Sequence, residues 1–485
     1  MPRGIPNKKV EVEEVKKSRG RPPKVVTEEK PVEKKTTSKA STETYDASKI
    51  KELPFPDNVR TRPEMYVGRT NKSAQLTCLR EIVNNSVDEY LAGFASEITV
   101  IRHNTRQFTV VDNGRGVPFD KHSSGKNVME VIFGSLHAGR NFEAKTVYST
   151  GLNGVGASCV NALSESFVVF GKRDKQYGLI TFNSGKKVSV VTKDITSQKD
   201  TPVKTKNGTA VVFKLEDSLF EEELTHDDIK SFLQEVAFVC NDLKIKFIDE
   251  SIKDKKEFVF HYTNKLGLSE YIKHTLKDKK AIFEPVVFSE TIKDKKKIII
   301  KGEEQEVDNT TIVEVALTYD ATNSPENIAS FCNTIRTSQG GSHVTGFKRA
   351  LSQNLAKYIK DNNLSKIQLD PEDFRPGLNV AVSVYNFNPK YTSQTKQELD
   401  MSDVSGFVIK ACNNGIKDWM ASNPKIMKIL AEMFSLNAKG RLAQKRALEN
   451  VRKENSSFIS SMSSMRKFSD SIEHGENSEL FIVEG

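Results

Sequence analysis

The chain has 485 residues, with 73 Lys and Arg against 64 Asp and Glu, and a formal net charge of +9. With 37% hydrophobic and 28% charged residues it is too apolar for disorder throughout and too polar to be globular from end to end; its length suits about three domains. No run approaches the roughly 18–20 apolar residues of a membrane span, and the N-terminus lacks a signal peptide's apolar core, so a soluble cytoplasmic protein without a membrane partner is expected.

Residues 1–44 carry 12 Lys/Arg and 7 Glu with no Asp and no aromatic residue, a net +5 that is more than half of the total. Such a segment cannot bury enough apolar surface to offset chain entropy, and a disordered basic tail is expected. Within it Arg19-Gly20-Arg21-Pro22-Pro23, flanked by Lys17 and Lys24, resembles an AT-hook, whose narrow backbone lets Arg19 and Arg21 enter a minor groove. A solvated basic linker is the competing reading.

From 45 to 262 the pattern is α/β. Residues 76–94 alternate at helical spacing, with Leu79, Val83, Val87 and Tyr90 on one face and Glu81, Asn85 and Asp88 on the other. Strands are expected at 97–102, 107–112, 166–170, 177–182, 187–192 and 209–215, with a helix at about 155–163. A second α/β unit spans 263–423, with strands near 311–319 and 378–386 and a helix near 344–360. Its two Lys-rich runs, at 277–280 and 293–297, read as solvated turns, with a nucleic-acid contact as the competing reading of each. A helical, basic segment follows from 424. The five cysteines are far apart and lack CxxC spacing, so reduced, mostly buried thiols are expected rather than disulfides or a zinc site.

Three clusters carry chemistry. Glu81 and Asn85 lie one helical turn apart, so the carboxylate can deprotonate water while the amide oxygen ligates Mg²⁺, a pairing suited to phosphoanhydride hydrolysis. Asp112 ends a strand just before Gly114 and Gly116; it can accept from an exocyclic amine while the glycines let a flat base approach, and an ordinary Asx-Gly turn is the competing reading. Gly151-Leu152-Asn153-Gly154-Val155-Gly156 precedes a helix and reads as a phosphate cradle or as a tight packed loop. It matches neither GxxxxGKS/T nor GxGxxG.

The order of these clusters, followed by Gly208-Thr209 opening a strand, resembles the Bergerat-type ATP site of the GHKL proteins. More specifically, VRTRPEMYVG (59–68), EIVNNSVDEYLAG (81–93), VVDNGRGVP (110–118) and STGLNGVGASCVNALS (149–164) resemble the ATPase domain of a type IIA DNA topoisomerase of the gyrase B type. QGGSHVTGF (339–347) and NPKYTSQTKQEL (388–399) resemble its transducer, and SELFIVEG (478–485) the start of its TOPRIM domain.

The resemblance implies an α/β (α+β sandwich) fold: a GHKL ATPase domain at 45–262, a ribosomal-S5-like transducer at 263–423, a helical linker at 424–477 and the first TOPRIM strand at 478–485. It implies ATP and Mg²⁺ as ligands, with Glu81 as general base, Asn85 on the metal, Asp112 and Thr209 at the adenine, and Gly114, Gly116, Gly151, Leu152, Asn153, Gly154, Val155 and Gly156 lining the nucleotide. Gln394 and Lys396 would reach the γ-phosphate, and Tyr45 and Ile50 would cap the pocket of a second copy, making ATP a dimerising ligand. Glu484 would be a TOPRIM metal ligand. Duplex DNA and a breakage-reunion (A-type) subunit or C-terminal region are the implied partners; ending inside the TOPRIM motif, the chain is expected to clamp but not to cleave. Two departures, His137-Ala138-Gly139-Arg140-Asn141-Phe142 without the usual lid lysine and Glu64 in place of Gly, fit a divergent or viral member; Arg140 or Lys145 would replace that lysine. A stand-alone ATP-gated DNA clamp is the alternative function.

Overall fold

The computed structural model describes residues 52–138, 147–151, 153–195, 201–253, 255–263, 267–300 and 303–463, together with 475, 480 and 482. Arg19, Arg21, Tyr45, Ile50, Arg140, Lys145, Leu152 and Glu484 lie outside the described residues.

Helices α1 (Asp57–Thr61) and α2 (Glu64–Val67) lead into α3 (Lys72–Leu91), whose N-cap Asn71 accepts a hydrogen bond from the Ser73 N–H at 2.9 Å. Strands β1 (Glu97–Arg102) and β2 (Gln107–Asp112) form a hairpin, helices α4 (Val128–Gly134) and α5 (Gly156–Ala162) follow, and then come β3 (Ser164–Arg173), β4 (Gln176–Asn183), β5 (Lys186–Asp194) and β6 (Gly208–Leu215). Helix α6 (His226–Val239), opened by a Thr225/Asp228 capping box, precedes β7 (Lys244–Asp249) and β8 (Lys256–Phe260). The eight strands form one sheet in the order β5-β4-β3-β6-β2-β1-β7-β8, antiparallel except for β1 on β7. Alternation turns Ile98, Val100, Phe108 and Val110 inward, where Leu79, Ile82, Val83 and Val87 of α3 cover them; burying each such side chain contributes roughly 1.5–3 kcal/mol.

The second half comprises α7 (Gly267–Leu276), β9 (Val286–Ile300), β10 (Glu303–Tyr319), β11 (Asn327–Cys332), β12 (Ile335–Arg336), β13 (Gly340–Gly341), α8 (Ser342–Asp361), β14 (Leu378–Tyr385), β15 (Glu398–Leu399), α9 (Ser402–Ser422) and α10 (Pro424–Ser463). Five strands form a sheet in the order β12-β11-β14-β10-β9, and β13 pairs with β15. Every residue of β14 is buried: Val380, Val382 and Val384 share a core with α8 and α9, while Ala381 faces the other way. On that opposite face Ala316, Ala329, Phe331 and Ala381 meet Phe238 and Val239 of α6 and Leu268, Tyr271 and Ile272 of α7. This shared core joins the two halves.

The run at 277–280 is an exposed turn after α7, as expected, but the run at 293–297 lies within β9 and is not a turn. Strand β9 is an edge strand, and its Lys293 and Lys295 are exposed, beside the inward Ile292 and the half-buried Asp294; charge on such an edge deters unwanted pairing. All five cysteines are free and buried. Among the described residues no helix is long and apolar enough to cross a membrane.

Candidate nucleotide site

On α3, Asn85 is exposed and Glu81 half-buried, one turn apart. The Glu81 carboxylate lies against Gly156 at the start of α5: a Cβ on Gly156 would fall on its Oε2 atom. The absence of a Cβ at 156 is what leaves the Glu81 carboxylate this position; a larger residue there would push the flexible side chain aside. Glu81 forms no ion pair among the described residues, which leaves it available to a water.

Asp112 is the last residue of β2, on the inward face with Phe108 and Val110, and the pairing of Val111 with Ala210 sets it beside Thr209. Its Oδ1 accepts from the Gly114 N–H at 2.9 Å and the Thr209 N–H at 3.2 Å, and its Oδ2 accepts from the Ser86 hydroxyl at 3.0 Å. Burial pushes its pKa up to about 6, against the pull of these donors. Thr209 Oγ1 accepts from the Val117 N–H at 3.1 Å. The result is a fixed carboxylate able to accept a further hydrogen bond from an amine. Gly116, at φ +80, and Gly114 are demanded by the chain itself: a Cβ on Gly116 would strike the Lys172 carbonyl, and one on Gly114 would sit 2.8 Å from Glu89 Cβ. Beside them Arg115 pairs with Glu89 at 2.7 and 2.9 Å and lies over the Phe94 ring at 4.0 Å, while Arg173 donates to the Gly116 carbonyl at 2.8 and 3.0 Å.

Asp88 lies on the same face of α3 as Glu81, and its carboxylate holds the start of the glycine-rich segment, accepting from the Ser149 hydroxyl (2.9 Å), the Thr150 N–H (2.5 Å) and hydroxyl (2.7 Å) and the Gly151 N–H (3.2 Å). These four donors offset the cost of burial, which pushes its pKa up. The segment continues through Asn153 and through Gly154, at φ +60, whose carbonyl accepts from the Ala138 N–H at 3.3 Å, to Val155 and Gly156.

The second half of the chain reaches this segment. Gln394 Oε1 accepts from Asn153 Nδ2, and Lys396 Nζ donates to the Thr150 carbonyl at 2.9 Å. Lys396 is 6% exposed, sits at φ +56, and forms no ion pair among the described residues. A buried ammonium held by a carbonyl is short of an anion.

The structure thus sets Glu81 against Gly156, Asp112 against Gly114 and Thr209, and Asn153 and Thr150 against Gln394 and Lys396, with Asn85 exposed one helical turn from Glu81. Ser86, Asp88, the Arg115–Glu89 pair and Arg173 are further contributors. Ser86 had a signal in the sequence, a hydroxyl inside an apolar helical stripe. No group of three or more His, Cys, Asp or Glu fit for a metal occurs among the described residues. The one exposed amide oxygen of Asn85 suits Mg²⁺, which takes few protein ligands and shares its shell with phosphates and water.

Residues 72–218 match the family described as histidine kinase-, DNA gyrase B-, and HSP90-like ATPase, and residues 267–450 match DNA gyrase B. The chain is 39% identical over 450 residues to the DNA gyrase B protein of Thermotoga maritima, covering 91% of this chain and 67% of that protein; it spans about two thirds of the length of its curated relatives. Its fold is similar to the 43K ATPase domain of Thermus thermophilus gyrase B in complex with an aminocoumarin (TM-score 0.62, 30% identity, 81% of this chain and 97% of that one). It is also similar to the topoisomerase IV ATP-binding domain of Francisella tularensis in complex with a small-molecule inhibitor (TM-score 0.61, 30% identity, 80% and 97%). With a GHKL ATPase domain carrying the fixed Asp112 carboxylate and a transducer whose Lys396 meets Thr150 of that domain, the chain belongs to the DNA gyrase B family of type IIA topoisomerase ATPases.

Proposed function

We propose that the chain binds and hydrolyses ATP, and that ATP closes two copies into a clamp whose opening and closing is coupled to passage of duplex DNA. The observation that carries this reading is Lys396, buried from the transducer side against the glycine-rich segment with no carboxylate partner among the described residues. A terminal phosphate supplies the missing anion, and the lysine stabilises charge as the bond breaks. Asp112 accepts from the adenine amino group, with Thr209 beside it. Gly151 and Asn153 to Gly156, with Leu152, enclose the phosphates, and Gln394 joins Lys396 there. Glu81 takes the proton of the attacking water. Asn85 would hold Mg²⁺, which when bound offsets charge on the phosphates.

Further roles complete the reading. Tyr45 and Ile50 cap the partner copy's pocket, Arg19 and Arg21 contact DNA, and Glu484 would be one ligand of a TOPRIM metal site that the residues up to Gly485 leave incomplete. Cleavage is supplied with an A-type subunit, in a cytoplasmic, DNA-associated assembly. The test is Glu81→Gln: ATP turnover should fall by roughly 10²–10⁴ while binding of a non-hydrolysable analogue persists. Turnover near wild type rejects the mechanism.

A further inference from the structure

The hairpin of β11 and β12 does more than end the transducer sheet. Phe331 pairs with Arg336 and Cys332 with Ile335, leaving Asn333-Thr334 as a two-residue turn with φ of +48 and +69. Positive φ at both positions is normal for such hairpins, but a β-branched threonine there is an outlier, and backbone outliers held by their surroundings concentrate at functional positions. This tip is buried: Asn333 is fully enclosed and Thr334 is 7% exposed. Asn333 Nδ2 donates at 2.8 Å to the Ser149 carbonyl and at 2.8 Å to the Asn386 carbonyl, and its Oδ1 accepts from the Asn386 N–H at 2.8 Å. Asn386 in turn donates to Thr311 Oγ1 at 2.8 Å. At the base of the hairpin Arg336 donates to Glu235 of α6 at 2.8 Å.

Ser149 and Thr150 are therefore gripped from two sides. Asp88 holds their hydroxyls and the Thr150 N–H, while the transducer holds their carbonyls, Asn333 on Ser149 and Lys396 on Thr150. On the nucleotide reading Lys396 exchanges its carbonyl for a phosphate, whereas the neutral Asn333 amide, already donating to two buried carbonyls, carries no charge that would draw it away. We propose that Asn333 is a positioning residue, a permanent tie between the root of the glycine-rich segment and the transducer that keeps Thr150 in register with Lys396 when Lys396 changes partner. Its consequence for turnover rests on the ATPase reading above; the tie itself does not.

Asn333→Gly keeps the turn, because glycine adopts positive φ freely, and deletes the amide. Asn333→Asp is the second variant: it keeps the acceptor for Asn386 and loses the donor. In hydrogen–deuterium exchange of the full chain without nucleotide, both variants should exchange at least about fivefold faster in peptides covering 147–156, with α3 and β2 unchanged. In ATP turnover kcat should fall about tenfold with KM within about twofold, since the Asp112 site is built from other elements. Wild-type exchange at 147–156, or acceleration spread equally through α3 and β2, overturns the proposal. Absence of Glu81-dependent turnover in the unmutated chain overturns the nucleotide reading instead, and the exchange result still decides the tie.

Discussion

Asp112 is set between opposing forces, burial raising its pKa to about 6 and three hydrogen-bond donors favouring the charged form. The unfolded chain releases this proton near pH 3.9, so between about pH 4 and 6 the folded state binds more protons and stability falls as pH rises. Nucleotide binding runs the other way, because an amine donor needs the ionised acceptor. Calorimetric titration with an ATP analogue should show affinity dropping as pH falls below about 6 and levelling above it; Asp112→Asn should bind weakly and lose that pH dependence. Gly116 is constrained by backbone and space together, φ +80 and the Lys172 carbonyl. Gly116→Ala should cost more than about 1 kcal/mol in denaturant unfolding, an effect of the chain's own packing that needs no ligand.

At the scale of elements, α8 buries His343 completely, with the ring 3.1 Å from Thr337 Oγ1 and burial pulling its pKa down to about 4. The unfolded histidine protonates near 6.5, so its share of stability is present above about pH 6.5 and is lost as pH falls toward 4, up to about 3 kcal/mol. Urea melts at pH 7 and pH 5 should differ by less in His343→Leu than in the parent. Helix α9 shows why residue propensity alone understates some elements, for its buried Val404, Val408, Ala411, Ile416 and Met420 recur at helical spacing. Gly406, Gly415 and the Asn413-Asn414 pair depress helix propensity, yet a Cβ on Gly415 would overlap the Phe288 ring of β9, so packing selects the residue that propensity disfavours. Hairpin β1–β2 is the opposite case. Its alternation and polar turn state both the strands and their inward faces, Asp112 included.

At the scale of the molecule, the halves meet through the shared core, the Asn333 turn and Tyr148. The Tyr148 ring packs against Phe387 at 4.7 Å and Tyr385 at 5.7 Å, and its hydroxyl donates to the Thr310 carbonyl at 3.3 Å. Tyr148→Ala should lower stability by about 2 kcal/mol and reduce ATP turnover together, readable by thermal melting and a steady-state assay. A non-hydrolysable ATP analogue should double the sedimenting mass, less readily in Lys396→Ala and after removal of residues 1–50. The chemistry-bearing motifs were legible because they are local. A carboxylate and an amide one helical turn apart, an Asp-x-Gly-x-Gly turn and a glycine-rich approach to a helix depend on spacing and backbone geometry that the sequence states directly. The hold of Asp88 on Ser149, the grip of Lys396 on Thr150 and that of Asn333 on Ser149 were not, because they join residues 61, 246 and 184 positions apart. Such contacts cost loop entropy, carry no periodic signature, and exist only because strand register and the shared core bring the two halves together.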